Sequence, residues 1–249
     1  MNNTALALTF TLVLAALLIS YRQRLDMEKD MIIGSVRAVV QLTLVGFVLK
    51  FVFNMDNTPL TGLILLLMVY NAATVAAKRG AGIACARRIS FGAILVSLVI
   101  TLGCLLAFRA IAFQPSEVIP ISGMVVGNSM VALGLLYRNL TSSFKDRREE
   151  VEVKLCLGAT PREAARTLIR ESIRTAMIPT VDSMKTLGIV QLPGMMTGLI
   201  LAGTPPELAI KYQIMVMFML TGAVTIAGLI ASFWAYRGFF NRQAQLLDE

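Results

Sequence analysis

The chain has 249 residues, of which 56% are hydrophobic and only 15% are charged, whereas soluble domains are roughly 45–50% apolar and about 25% charged. The mean hydropathy of +0.72 extends over the whole length, because long apolar runs alternate with short polar gaps. This composition argues against a water-soluble monomer and predicts an all-α polytopic membrane protein. In such a protein the net charge of +8 bears first on topology, and we expect no nucleic-acid partner.

Several enzyme classes are excluded by missing residue types. The sequence contains no histidine, which removes histidine-based acid–base catalysis, Ser-His-Asp triads and HExxH zinc sites. Its three cysteines, Cys85, Cys104 and Cys156, form no CxxC pair, and their odd number favours a reducing, cytosolic face over a disulfide framework. There is no GxxxxGK[ST] or GxGxxG motif, so we expect no cofactor on this chain. If ATP drives this protein, we expect ATP and magnesium to bind to a separate subunit.

Apolar runs and helix-breaking residues predict seven membrane spans, since about 20 apolar residues cross the hydrocarbon core as a helix. The first run is preceded by no Lys or Arg and followed by no clear cleavage site, which favours a retained helix over a signal peptide. The predicted spans are 4–21, 31–53, 59–77, 91–108, 118–136, 183–202 and 212–236. Together they predict a single transmembrane domain over residues 1–249.

The basic residues predict the orientation. Alternate connections, at 22–30, 78–90, 137–174 and the tail 237–249, hold 18 of the 23 Lys and Arg residues. By the positive-inside rule these connections face the cytoplasm, which places the N-terminus outside and the C-terminus inside.

The segment 137–180 is the one long polar stretch. A charged run ends in a short apolar patch that includes Val153, Leu155 and Leu157, and Gly158 follows. This pattern predicts a short helix that stops at Gly158. A short apolar patch on a cytoplasmic turn could fit a groove on a partner and pass rigid-body movement to the membrane helices.

A second helix is predicted to begin directly after the glycine. Thr160, Pro161 and Glu163 match a capping box with proline at the first helical position. Apolar residues from Ala165 to Met177 fall on one face, and an arginine recurs every fourth residue from Arg162 to Arg174 on another. We expect this helix to stop or kink at Pro179. The alternative to docking is an interfacial helix whose arginines meet anionic lipid headgroups.

Two GxxxG motifs, Gly123–Gly127 and Gly194–Gly198, favour close packing of helices within the chain. The second motif follows Gln191-Leu-Pro193, which breaks the predicted sixth span and leaves backbone groups without helical partners. Such backbone persists only where it is buried in protein or lines a cavity. We therefore predict that this segment borders a transport pathway.

Polar side chains inside predicted spans are further pathway candidates, although interhelical hydrogen bonding is the alternative role of the amides. The 14 methionines also suggest a soft metal, but Met215, Met217 and Met219 point in different directions on a helix, which favours packing. The pathway candidates are Arg37, Gln41, Asn71, Asn128, Gln191, Pro193, Gly194, Met195 and Met196.

Taken together, these motifs resemble a known family. The run Leu157–Pro161 followed by an amphipathic helix resembles the cytoplasmic coupling loop of ABC transporter permeases. Along nearly its whole length, the chain resembles the FetB family of iron-export permeases. The residues that carry this second resemblance are Arg37–Leu42, Tyr70–Ala72, Ser122–Met130 and Leu187–Gly198.

The resemblance implies a permease of the bacterial inner membrane that pairs with a separate FetA-like ATPase and exports iron. We expect a homodimer in the lipid bilayer with two ATPase subunits. The ATPase-coupling residues would be Glu152, Val153, Leu155, Leu157, Gly158, Ala159, Thr160 and Pro161. No metal ligand follows from the resemblance. The alternatives are another substrate, such as a nucleotide sugar or another metal, and an ion-driven secondary transporter.

Overall fold

The computed structural model describes residues 3–55, 58–80, 82–83, 85–241 and 243–247. It describes the side chains of all these residues except 3–8, 51 and 53–55. In this part of the chain the regular elements are helices, and two isolated β-bridges lie outside them. The prediction of an all-α protein is confirmed. The chain divides into two compact units, Met1–Asp56 and Asn57–Glu249.

The first unit is a pair of helices, α1 (Asn3–Gln23) and α2 (Glu28–Met55). Ser20 Oγ donates to Glu28 Oε1 at 2.8 Å across the connecting turn. Glu28 and Asp30 lie in the first turn of α2, where acidic side chains interact favourably with the helix dipole. Most described side chains of α2 are exposed.

The second unit holds the remaining helices. Prolines occupy the first positions of three of them, α5, α7 and α10, where the missing N–H has no intrahelical partner to lose. A short 3₁₀ helix, Tyr236–Phe239, follows the last α-helix. The α-helices are α3 (Thr58–Lys78), α4 (Ala86–Ala107), α5 (Pro115–Asp146), α6 (Arg148–Cys156), α7 (Pro161–Ala164), α8 (Arg166–Thr186), α9 (Gly194–Leu201) and α10 (Pro206–Ala235).

Small residues let the long helices of this unit approach closely. α5 packs against α3, α4, α8 and α10, and α4 also packs against α10. Ala93 on α4 and Ala223 and Ala227 on α10 are fully buried, and Ser97 Oγ donates to Ala223 O at 2.7 Å. Close backbone approach and interhelical hydrogen bonds are the usual means of association between helices in lipid.

Five helices in the described chain are long and apolar enough to cross a membrane, and a shorter apolar helix covers Thr9–Gln23. The chain is therefore an integral membrane protein of the polytopic class. The five are Glu28–Lys50, Thr58–Lys78, Ala86–Ala107, Pro115–Asp146 and Pro206–Phe239.

The predicted sixth span, 183–202, is not one helix. α8 ends at Thr186, and α9 begins only at Gly194 and is eight residues long. Gly188 has φ of +78°, a left-handed conformation that suits glycine. Pro193 occupies the residue position directly before α9. These two residues divide the span into two shorter helical pieces.

Of the stop or kink expected at Pro179, the stop is wrong, because α8 continues through this proline to Thr186. A proline inside a helix costs about 3 kcal/mol or more. That cost is offset by packing, since Leu168, Ile169 and Ala176 on the same helix are buried and α8 packs against α5 and α10.

Gly80, which follows α3, is expected to tolerate no larger side chain. A Cβ added there would lie 3.1 Å from Cδ2 of Tyr137, whose ring is fully buried and whose hydroxyl is 2.9 Å from Ser90 Oγ. Gly80→Ala should lower the free energy of unfolding by about 1 kcal/mol through overpacking. Thermal unfolding in detergent measures the change.

Gly103→Ala is the matched control, because nothing lies within 4 Å of the added Cβ and alanine is the better helix former in α4. The midpoint of thermal unfolding of Gly103→Ala should equal or exceed that of the wild type. Equal losses in both variants would contradict the packing assigned to Gly80.

Candidate functional site

A polar cavity of about 360 Å³ lies among α5, α8, α10 and the segment that leads into α9. This volume is at the small end of the range of about 300–1,000 Å³ that is typical of ligand sites. Most of its lining is apolar, with side chains such as Val216 and Leu220, and amides, hydroxyls and methionines are placed among them. The side chains of these types that line it are Asn128, Thr180, Ser183, Gln191 and Gln213, with Met124, Met195 and Met217.

Two of the amides offer unpaired oxygens. Nδ2 of Asn128 donates to the Met124 carbonyl oxygen at 2.8 Å, which leaves Oδ1 available as an acceptor. Gln213 is only 8% exposed, and its Oε1 has no hydrogen-bond partner. A buried acceptor without a partner costs about 1–3 kcal/mol, and such groups are rare in native proteins. Gln213 is therefore a lining residue whose amide oxygen is buried in the cavity wall without a partner among the described residues.

The helix break forms one wall of the polar cavity. The N–H groups of Ile189, Val190 and Gln191 donate to the Thr186 carbonyl oxygen at 3.3, 2.9 and 3.4 Å. Gly188 N–H donates to the Gln191 carbonyl oxygen at 3.0 Å. The break is thus a compact turn whose amides are satisfied locally, which meets the requirement for backbone polar groups in a membrane protein.

A second, acidic cavity of about 280 Å³ adjoins the first. It contains Glu117 from the first turn of α5, whose Oε2 accepts a hydrogen bond from Ala112 N–H at 2.8 Å. Met124 and Met195 line both cavities. These two methionines therefore stand between the two cavities.

The structure brings five of the nine predicted pathway candidates together at the polar cavity. Gly194 has open space where a Cβ would lie. Met196 is half-buried but is not among the lining residues. The five that meet there are Asn128, Gln191, Pro193, Gly194 and Met195.

Three candidates lie elsewhere. Asn71 on α3 is exposed, and its Nδ2 donates to the Leu67 carbonyl oxygen at 3.0 Å. Arg37 and Gln41 lie on α2 in the first unit, with exposed side chains. Asn71 does not line the polar cavity, and Arg37 and Gln41 are described within the first unit by itself.

Sequence reasoning missed Gln213, Thr180 and Ser183. Gln213 lies at the start of the predicted span 212–236 and is not among the predicted pathway candidates. Thr180 and Ser183 follow Pro179, where the helix was expected to end. No sequence signal marks Gln213, because its burial depends on how α10 packs against the other helices.

The helix–Gly–helix element, residues 148–161, has the predicted ends. Gly158 N–H donates to the Leu155 carbonyl oxygen and Ala159 N–H to the Lys154 carbonyl oxygen, both at 3.0 Å. Gly158 has φ of +89°. These are the two hydrogen bonds of a Schellman motif with glycine in the left-handed position, so the helix end predicted at Gly158 is confirmed.

The predicted capping box is also present. Glu163 N–H donates to Thr160 Oγ1 at 3.4 Å, and Thr160 N–H donates to Glu163 Oε2 at 2.9 Å. The Thr160 N–H, together with its hydroxyl group, holds the pKa of the Glu163 carboxyl below its ordinary value. The capping interaction is therefore complete at neutral pH and is lost only as the pH falls through that lowered pKa.

An exposed patch on this element consists of Val153, 57% exposed, and Leu157, 82% exposed. Leu155 differs from them, because it is half-buried and packs against the core. Glu152 pairs with Arg148 at 2.8 Å on the same helix. Of the predicted coupling side chains, Val153 and Leu157 are thus the apolar ones that a partner could reach.

The amphipathic character predicted for the following helix is confirmed. Leu168, Ile169 and Ala176 are buried in a helix that packs against α5 and α10, while Arg166 and Arg170 are exposed. The apolar face of α8 is covered by protein, so it is not available for insertion into lipid headgroups as an interfacial helix would require.

Contacts on either side fix the helix–Gly–helix element to the long helices. Arg147 and Glu171 form a salt bridge at 3.0 Å between the end of α5 and α8. Val151 on α6 is buried. Phe144 stacks on Phe239 with ring centroids 4.2 Å apart. The element is therefore held against the helices that line the polar cavity.

Comparison with known proteins gives a match over almost the whole chain. The model of the family described as "Uncharacterised protein family (UPF0014)" matches residues 3–240. The chain is 49% identical over 246 residues to "Probable iron export permease protein FetB" of Escherichia coli, covering 99% of this chain and 95% of that protein. It is 39% identical over 246 residues to "UPF0014 membrane protein YjkA" of Bacillus subtilis, covering 99% of this chain and 98% of that protein.

A plant relative is similar as well. "Protein ALUMINUM SENSITIVE 3" of Arabidopsis thaliana is 36% identical over 240 residues, which covers 96% of this chain and 88% of that protein. No solved structure matches. The resemblance to FetB is confirmed, and the chain is a membrane permease, a transport protein and not an enzyme.

The unpaired oxygen of Gln213 predicts a stability effect. Gln213→Leu replaces the buried, unsatisfied amide with an apolar side chain, so the free energy of unfolding should rise by about 1 kcal/mol. The midpoint of thermal unfolding in detergent measures this rise.

The control is Gln191→Leu in the same cavity wall. Gln191 is exposed, so its replacement should leave the midpoint nearly unchanged. A lower midpoint for Gln213→Leu than for the control would show that the Gln213 amide is satisfied in the folded protein.

Proposed function

The chain belongs to the UPF0014 family, and we propose that it is the membrane-spanning subunit of an ATP-driven exporter that carries iron out of the bacterial cytoplasm. The name of the FetB relative, at 49% identity over nearly the full length of both proteins, supports the choice of iron. The geometry of the second unit supports the coupling of transport to a separate ATPase.

The observation that carries this proposal is the pair of helices that runs from the helix–Gly–helix element to the polar cavity. α5 carries Asn128 at the cavity and ends at Asp146, next to α6. α8 begins just after α7 and carries Thr180 and Ser183 at the cavity. At 1.5 Å per residue, about 28 Å of helix separates Asn128 from Arg147. A displacement of the element would move two cavity walls together.

Energy would enter through the exposed patch. The sequence has no P-loop, so ATP and magnesium would be held by a separate FetA-like ATPase. Val153 and Leu157 are costly to leave in water and are suited to a groove on such a partner. The acidic and basic side chains around them, among them Glu150 and Lys154, suit the polar rim of an interface.

The assembly would be a homodimer of this chain with two ATPase subunits in the bacterial inner membrane. The N-terminus would lie outside and the C-terminus in the cytoplasm, as the Lys and Arg distribution indicates. Ile189, Val190 and Leu192 beside the polar cavity are strongly exposed in the isolated chain and would be covered by lipid or by the second copy.

Thiol labelling tests the orientation. After replacement of the three exposed native cysteines, Ser142→Cys and Gln245→Cys should react only from the cytoplasmic side, because both lie in the basic connections. Glu207→Cys at the start of α10 should react only from outside. Labelling of Ser142→Cys from outside alone would contradict both the orientation and the proposed ATPase contact.

The exposed patch predicts the effect of a coupling variant. Leu157→Asp should reduce copurification of the ATPase and ATP-dependent iron accumulation in proteoliposomes by about tenfold or more, because a charge would enter an apolar groove. The midpoint of thermal unfolding should stay unchanged, since this side chain is 82% exposed. Thr167→Asp is the control, because it adds the same charge at an exposed position of α8.

Two results would contradict this role. Wild-type ATPase binding and transport by Leu157→Asp would remove the patch from the coupling mechanism. Iron movement by the chain alone, driven by a proton gradient without any ATPase, would favour the secondary transporter instead.

A further inference from the structure

We propose that the polar cavity takes its metal as Fe(II), and that the thioethers of Met124, Met195 and Met217 select Fe(II) over Mg²⁺ and Ca²⁺. This inference rests on the proposed function, because it names the form of iron that the same cavity would carry.

Three separate elements supply the sulfur atoms. Met124 comes from α5, Met195 from α9 and Met217 from α10, and all three line the same cavity. Met217 is 8% exposed, so its thioether is largely shielded from solvent. Methionines so distant in sequence meet here because the three helices converge around the cavity.

The oxygen donors are neutral too. Asn128, Gln191 and Gln213 bring amide oxygens to the same walls, and none of the described lining residues carries a charge. Oε1 of Gln213 is buried in the cavity wall without a partner among the described residues, so this amide would gain a partner by turning towards a bound cation. Thioethers and amides together form a neutral, mixed sulfur and oxygen donor set.

The softness of these donors decides which ions fit. Mg²⁺ and Ca²⁺ are hard cations that prefer carboxylates, carbonyls and water. Thioether sulfur instead favours the softer transition metals. Fe(III) and Al(III) are harder still and call for anionic oxygens, whereas Fe(II) accepts neutral sulfur, nitrogen and oxygen ligands. The donor set therefore matches the ferrous ion better than the ferric ion.

The neighbouring acidic cavity supports a cation as the transported species. A metal that leaves the polar cavity past Met124 and Met195 next meets Glu117, whose carboxylate attracts positive charge. An anionic substrate such as a nucleotide sugar would bring its phosphates towards the same carboxylate and be repelled. The two cavities thus form a sequence of sites that suits a cation.

Metal binding to the full chain in lipid nanodiscs tests the proposal. Under anaerobic, reducing conditions the wild type should bind Fe(II) in the presence of excess Mg²⁺, as measured by equilibrium dialysis. Met124→Leu and Met195→Leu keep the side-chain volume but remove the sulfur, so each should weaken Fe(II) binding by about tenfold or more.

Met219→Leu is the matched control. It lies on α10 and is buried but does not line the polar cavity, so its Fe(II) affinity should equal that of the wild type. X-ray absorption of the Fe(II)-loaded wild type gives a second measurement, independent of any variant. It should show sulfur among the iron ligands.

Several outcomes would overturn the inference: an iron shell of oxygen and nitrogen only, no Fe(II) binding by the wild type, or equal competition by Mg²⁺. Unchanged affinity in both methionine variants would do the same. The proposed function is tested separately by ATP-dependent iron accumulation with the ATPase. If that accumulation occurs while sulfur ligation is absent, only the choice of Fe(II) by the thioethers fails.

Discussion

The single helix from Pro115 to Asp146, whose only interior residue without a backbone N–H is Pro120, is the constraint on which the rest of the second unit depends. α5 packs against four other long helices, carries Glu117 in its first turn and Asn128 at the polar cavity, and ends beside α6. After Pro120 every residue of α5 can donate its backbone N–H, so Asn128 and the helix end beside α6 can only move together. Small residues such as Gly134, which receives the Arg79 side chain, allow its neighbours to approach closely. The polar cavity and the helix–Gly–helix element are therefore connected through α5 and should move together.

Features encoded by a few adjacent residues could be predicted from the sequence. The capping box at Thr160, the Schellman turn at Gly158 and the break before Pro193 each depend on local backbone hydrogen bonds or on a fixed φ angle. These interactions need no knowledge of the neighbouring helices. The same locality explains why five of the nine pathway candidates meet at one cavity, since four of the five belong to the short run around Pro193 that the sequence already marked as irregular.

Features that depend on packing could not be predicted in this way. Pro179 carries a strong helix-breaking signal, but burial of the α8 face against α5 and α10 outweighs it. Leu155 and Leu157 look equivalent in the sequence, and only the position of α6 on the core makes one half-buried and the other exposed. Gln213 follows the same logic, because it lines a cavity whose other walls lie 18 to 89 residues away in the sequence.

A transport site must bind its cargo well enough to select it and weakly enough to release it. Neutral thioethers and amides meet this requirement better than a cluster of carboxylates, which would hold a divalent cation tightly in a medium of low dielectric constant. Selection would then come from the type of donor and release from a change in donor geometry. The wall most easily changed is the turn at residues 187–191, because its amides depend on the carbonyl oxygens of Thr186 and Gln191. A shift of α8 relative to α5 would move Thr186 and this turn with it. It would thereby separate Gln191 from Asn128 without breaking either long helix.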